Sequence, residues 1–363
     1  MAKSLLRFAA VLGLSLVFGG CSKKEDAKPE STGAAVEAPS AAVTASAAAP
    51  APAPSAAGSV LRIAYSDWPG WVAWDIAIQK GWFKDAGVAV DFVWFEYVPS
   101  MDAFAAGKVD AVAVTNGDAL VTGSSGAASK CILANDYSHG NDMIVAKPGI
   151  KSVGELKGKK IGVEVGFVSH LLLLKALESA KLEEKDVTLV NVPTDQTPQT
   201  LKSGGADAIA AWQPNSGQAL KEVPGSTAIF TSKDTPGLIY DLLCVNPKSL
   251  GERRADWKKV VEVWFKVADF LADPKNVDEA AKIMGARVSL APEEYKKLMS
   301  GTHFLGKADN VKLYEKGDGL DSVLGSSKLS DDFFTKNKMY KAAVKYDDYF
   351  DPSLVSEIAG AAK

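Results

Sequence analysis

The sequence predicts an α/β protein made of two similar lobes joined by a two-strand hinge, with a helical C-terminal extension on the first lobe. Three observations predict it. Short apolar runs that can fill central strands alternate with stretches of helical spacing, as in sheets wound from strand–helix units. One such unit is repeated within the chain. Two extended runs, Asp142 to Lys147 and Leu238 to Asn246, stand where the chain would cross between lobes, and a pair of crossing strands makes a hinge for closure on a ligand.

Residues 1–20 carry Lys3 and Arg7, then an apolar run from Phe8 to Phe18, then Gly19 and Gly20 before Cys21. This is the layout of a secretory signal, too short to span a bilayer as a mature helix. Small residues directly before a cysteine resemble a bacterial lipoprotein signal, which makes Cys21 the lipidated first residue. Phe18 stands where that pattern usually has Leu. Residues 21–59 are dominated by Ala, Pro and Ser without an aromatic residue, so they bury too little surface to offset ordering entropy and read as a disordered tether. At about 3 Å per residue the tether reaches roughly 100 Å.

The folded region opens with the apolar run Leu61–Tyr65, a first strand, and Val88–Tyr97 supplies a second. Between them a helix is expected over 71–80, ended by Gly81. The connection Ser66-Asp67-Trp68-Pro69-Gly70-Trp71 puts two indoles and a carboxylate at the carboxyl end of the first strand, where open α/β sheets bind ligands. Reading Pro69-Gly70 as a surface turn, Trp68 and Trp71 are expected to be exposed and to cover a ligand.

The segment starting at Val90 has a partner starting at Val187, each running strand, Pro-containing loop, short helix, Gly-x-x-Asp-Ala, strand, loop. Val90 to Asp110 and Val187 to Asp207 are equally spaced, and Gly107 matches Gly204. The expected division is 60–145 and 243–363 for lobe 1, the latter being the return strand and C-terminal helices, with 146–242 for lobe 2. In Asp256 to Asp273 the apolar residues, Trp264 among them, recur at helical spacing and read as packing.

If the lobes are equivalent, the loops after matching strands face each other across a cleft. Asp67 and Trp68 then correspond to Val165-Gly166-Phe167, and Thr115-Asn116-Gly117 to Trp212-Gln213-Pro214. Ser169 is read as capping a helix that starts at His170, with free N–H groups pointing into the cleft. Asp118, Asp136, Asp241 and Glu164 lie near the same loops, where no Lys or Arg occurs. An anion there would rely on backbone N–H groups, whereas a cation could use carboxylates and the faces of Trp68, Trp71 and Trp212. An amine, amidine or neutral amide is therefore favoured over a sulfonate or nitrate-like anion.

Other classes are disfavoured. Without Lys3 and Arg7 the chain has 39 basic against 44 acidic residues and no basic run, which argues against a nucleic-acid partner. His139, His170 and His303 are scattered and cysteines are few, so no metal site is read. Cys131 and Cys244 sit in apolar strand-like runs; whether they pair stays open, because sequence does not supply their distance. No GxSxG, HExxH or Walker loop is present, and no cofactor is expected.

Three motifs in order carry a family resemblance. Gly81-Trp82-Phe83-Lys84-Asp85-Ala86-Gly87-Val88, Ser152 to Val163 (SVGELKGKKIGV), and Ala206-Asp207-Ala208 through Trp212-Gln213-Pro214 are similar to motifs of the substrate-binding proteins of nitrate, sulfonate, taurine and bicarbonate ABC importers. The resemblance covers Val60 to about Val245. It implies a two-lobed periplasmic-binding-protein fold of type II, a monomer tethered outside a membrane by its lipid alone, delivering a small solute to a permease and its ATPase. Two alternatives travel with it. One is a ligand-sensing lipoprotein. The other is an enzyme like those of the family that make the thiamine pyrimidine from their own His and a pyridoxal cofactor; those carry a cysteine-rich cluster, which this sequence lacks.

Overall fold

The computed structural model describes residues 60–340 and 344–360. The signal-like stretch, Cys21 and the tether lie outside them.

Strand β1 (Leu61–Tyr65) pairs in parallel with β2 (Val90–Trp94) on one side and β3 (Ala111–Thr115) on the other. Strand β10 (Tyr240–Val245) pairs antiparallel with β3, β4 (Lys130–Ser138) pairs antiparallel with β10, and β11 (Thr302–Phe304), antiparallel to β4, closes the edge. The order is β11-β4-β10-β3-β1-β2. The second sheet, β7-β6-β8-β5-β9, contains β5 (Asp142–Ala146), β6 (Lys160–Val163), β7 (Thr188–Asn191), β8 (Ala208–Trp212) and β9 (Thr227–Thr231). Its parallel core β7-β6-β8 repeats β2-β1-β3, and β5 lies antiparallel to β8 as β10 does to β3.

The repeat is built from the same backbone devices. Gly107 (φ 67°) and Gly204 (φ 87°) both end a helix in the left-handed region, which glycine enters without Cβ strain. Three residues on, Asp110 accepts from the N–H of Arg62 and Asp207 from the N–H of Lys160, each at 2.9 Å. Each aspartate thus ties the start of its third strand to the start of its first. The chain passes between sheets at 139–141 and returns at 232–239, so β5 lies wholly in the second sheet and β10 in the first. The crossings are laced together: Ser138 and Ser232 share a hydrogen bond of 2.7 Å, and Gly140 N–H donates to Ser232 Oγ.

The expected helix over 71–80 is two helices, Pro69–Val72 and Trp74–Gln79, broken at Ala73. Pro69 is the first residue of a helix and not a turn, a position where its missing N–H costs nothing. Val88–Tyr97 is shorter as a strand than expected, because Tyr97 opens the helix Tyr97–Ala105. The helices after Val245 pack on the first sheet and its covering helices. Helix Arg254–Ala272 buries Trp257, Val260, Trp264 and Val267, and the Trp264 indole donates to Leu305 O at 3.0 Å. Cys131 and Cys244, register partners on β4 and β10, are joined by a disulfide.

Candidate functional site

The carboxyl ends of the parallel strands face one another between the lobes and enclose two adjoining chambers. The outer one holds about 360 Å³ and is lined by carboxylates that follow four different strands: Asp67 after β1, Glu96 after β2, Glu164 after β6 and Asp195 after β7. This is the position at which wound α/β sheets take ligands. The inner chamber is a niche of about 10 Å³, room for roughly one water-sized group, between Trp68, Trp71, Thr115, Asp142 and Asp241. Tyr97 and Trp212, ring centroids 5.1 Å apart and edge to face, line both chambers. Neither lining includes a Lys, Arg or His.

Donors from the second lobe clasp acids of the first. The Trp212 indole and the Asn215 amide donate to Asp67 at 3.2 and 2.8 Å. Asp118 accepts from the Tyr97 hydroxyl at 2.8 Å and, across the cleft, from Val168 N–H at 3.1 Å. Asp118 Oδ2 thus takes one of the N–H groups at the start of helix Val168–Ser179 that sequence assigned to a ligand. That helix is preceded by Phe167 and has no side-chain cap; Ser169 lies inside it, buried, its hydroxyl unbonded, which corrects the capping role expected for it.

Several expected contacts change character. Trp68 and Trp71 are each only 2 % exposed. Trp68 donates to Asp136 Oδ1 at 2.9 Å, and Trp71 stacks on Tyr97. They form the packed wall of the niche and are not surface aromatics. Asn116 gives its amide to Ser326 and Ser327 and accepts from Tyr240 N–H, so it ties helix Val323–Lys336 to the sheet. Gln213, before a cis peptide bond to Pro214, lies against Gly217, where an added Cβ would stand 2.4 Å from its Oε1. Phe167 is partly buried against the core and lines neither chamber, unlike the ligand contact expected for it. Asp136 lies behind Trp68, against Gly70.

Sequence reasoning missed Glu96, Asp142, Asp195 and Asn215. The signal existed for three: Glu96 and Asp195 sit in the Pro-containing loops of the two repeat copies, and Asp142 begins the run read as a crossing.

The acids are far from their ordinary state. Burial pushes Asp118, Asp142 and Glu164 up to about 7, and Asp136 to about 8 despite its bond from Trp68. Asp241 is raised well above the carboxylate range by burial and by Asp136 and Asp142; Asp67 is raised by burial against its bonds from Trp212 and Asn215. One oxygen of each, Oδ1 of Asp118 and Oδ2 of Asp136, Asp142 and Asp241, has no hydrogen-bond donor. Such groups favour a proton or a bound cation over unaccompanied charge. Among the described residues no His, Cys, Asp or Glu cluster could hold a metal ion, and no helix is long and apolar enough to cross a membrane.

A family model described as "NMT1/THI5 like" matches residues 71–277, more than half of the chain. The chain belongs to the NMT1/THI5-like family. This NMT1/THI5-like chain is 29% identical over 304 residues to a Brucella abortus (strain 2308) protein described as a binding protein, spanning 80% of the chain and 89% of that relative. The alkanesulfonate-binding protein SsuA from Xanthomonas axonopodis pv. citri, solved with MOPS, superposes with a TM-score of 0.68 at 16% identity, covering 82% of this chain and 99% of that one. The periplasmic nitrate-binding protein NrtA from Synechocystis PCC 6803 gives 0.68 at 14%, covering 84% and 89%. The two-lobed fold is that of the periplasmic binding proteins.

Proposed function

We propose that the chain is the solute-binding component of an ABC importer, exported, held by a lipid on Cys21, and acting as a monomer that closes its cleft on a small nitrogen-containing solute, an organic cation, for delivery to a permease and its ATPase. The fold and the relative described as a binding protein support the transport role. One observation carries the ligand class: carboxylates from both lobes line the chambers, with no basic side chain among the lining residues. A sulfonate or nitrate, which the names of SsuA and NrtA report for those proteins, would meet unpaired acid oxygens in this cleft.

Binding is supported over the thiamine-pyrimidine chemistry by where the histidines stand. His170 faces Glu184 at 3.4 Å, and His139 and His303 pack on Tyr137, so none lines the cleft as a substrate for a pyridoxal cofactor. The cysteines of β4 and β10 are joined to each other.

The test is a thermal-shift screen at pH 8 of primary amines, amidines and amides beside methanesulfonate, taurine and nitrate. A selective binder raises the melting temperature by linkage. The expected result is stabilisation by amines or amidines; stabilisation confined to sulfonates or nitrate would overturn the ligand class.

A further inference from the structure

We propose that the inner niche seats a primary ammonium group, held by Asp142 and Asp241, and that its entry expels to solvent one proton kept by the facing Asp136 and Asp241 carboxyls. The inference rests on the cationic-solute reading and narrows it to one head group and one exchange.

The first ground is size. A niche of about 10 Å³ admits a group no larger than a water, which an ammonium matches, whereas a planar amidinium or a trimethylammonium exceeds it. The remainder of the solute then occupies the outer chamber, past Tyr97 and Trp212, which border both spaces.

The second ground is unmet bonding. Asp142 and Asp241 are each 2 % exposed, both line the niche, and each keeps an Oδ2 without a donor. An ammonium carries three N–H donors and no acceptor. Two would satisfy these oxygens; Thr115, which also lines the niche, already accepts from Asp118 N–H at 3.1 Å. Trp68, Trp71 and Trp212 complete the wall, a lining suited to a desolvated cation.

The third ground is the pair behind the niche. Asp136 on β4 and Asp241 on β10 are register partners, and without a proton their facing oxygens have no donor. A proton on Asp241 supplies one bond between them. The acids around them raise the cost of a second charge: Asp142 from β5 and Asp118 from helix Asn116–Ser124; Glu164 and Asp67 line the outer chamber beyond. Tyr97 donates to Asp118, and the buried, unbonded Tyr295 hydroxyl stands near Asp136. The empty niche therefore keeps a proton. An entering ammonium replaces its charge, so one cation enters and one proton leaves to buffer.

Titration calorimetry on the full chain, with n-butylammonium and butyltrimethylammonium as probes, tests this at pH 6, 7 and 8. We expect n-butylammonium to bind, its affinity to rise by up to tenfold per pH unit between 7 and 8, where Asp142 is already ionised, and heats in Tris and phosphate at pH 8 to differ by the ionisation of up to one proton. We expect the quaternary probe to bind at least tenfold more weakly, and Asp142→Asn and Asp241→Asn, checked for folding by circular dichroism, to weaken n-butylammonium at least tenfold. Equal binding of the two probes by the wild-type protein would overturn the size argument without any variant. PH-independent binding of n-butylammonium would overturn the exchange. If Asp142→Asn and Asp241→Asn bind as wild type while Asp67→Asn and Glu164→Gln weaken binding, the cation sits in the outer chamber: the niche proposal fails and the cationic-solute reading stands. Failure of both amines, with binding of methanesulfonate, would sink both.

Discussion

The repeat units of the two lobes agree where they hold the sheet and differ where they meet the cleft. Asp110 and Asp207 make the same bond to the first strand, and Gly107 and Gly204 take the same turn. The strand ends diverge. After β1 the first lobe sends Asp67 and Trp68 into a helix begun by Pro69, whereas after β6 the second lobe runs through Gly166 and Phe167 into the twelve-residue helix Val168–Ser179. After β3 Thr115 caps its helix by accepting from Asp118 N–H, whereas after β8 Trp212 and Asn215 reach across to donate to Asp67. A duplicated unit thus keeps the backbone contacts that close its sheet, while the loops beyond the strands, which support little else, carry the chemistry.

The sharpest way to break this comparison is at the corresponding aromatics. Trp68→Ala should cost about 3 to 5 kcal/mol in urea unfolding, as expected for a fully packed indole, and more because Asp136 then loses a donor. Phe167→Ala, at the matching place in the second lobe but only partly buried, should cost about 1 kcal/mol, in line with partial burial. Equal costs would mean that the two loops are equivalent after all.

A smaller contrast lies in the crossing strands. The disulfide braces β4 and β10 of the first lobe and closes a sequence separation of 113, so the Cys131→Ser, Cys244→Ser double variant should lose about 2 to 4 kcal/mol. Native-state hydrogen exchange should place the loss in the first sheet. Equal loss of protection in β5 and β9 would show that the lobes do not respond separately.

The smallest effect tests the likeness itself. Asp110→Ala and Asp207→Ala should each cost about 1 kcal/mol, the order of one hydrogen bond, with Asp110 the costlier because it also accepts from Ser249. Chemical denaturation measures both, and a neutral Asp207→Ala would undo the equivalence.

The same division explains what could be read in advance. The repeat, the two-sheet plan and the packing face of Arg254–Ala272 were legible because glycine turns, Gly-x-x-Asp spacing and apolar periodicity are local signals. The exposure of Trp68 and Trp71 was misread because Pro69 was taken for a turn when it starts a helix, and proline serves both. Asn116 looked like a cleft amide by its place after β3, but helix Val323–Lys336, remote in sequence, takes its bonds. The acids Asp67, Glu164 and Asp241, expected near the cleft, line the two chambers, whereas Asp118 and Asp136 lie outside both linings. The two chambers themselves were not legible, since Asp142, Glu96 and Asp195 converge only once both sheets are wound.

The central claim is that the cleft acids are held for a ligand and against the needs of the fold, and Asp142 tests it most directly. Its raised pKa means that the folded state favours the protonated form: the stability contributed by that proton is full below the ordinary carboxylate range near pH 4 and is lost as pH rises through about 7. Asn keeps the shape without the charge. Melting curves of the unligated wild type and Asp142→Asn at pH 5 and pH 8 decide the matter. The account predicts similar melting temperatures at pH 5 and a higher one for Asp142→Asn at pH 8; a variant less stable than wild type at both would show that Asp142 serves the fold.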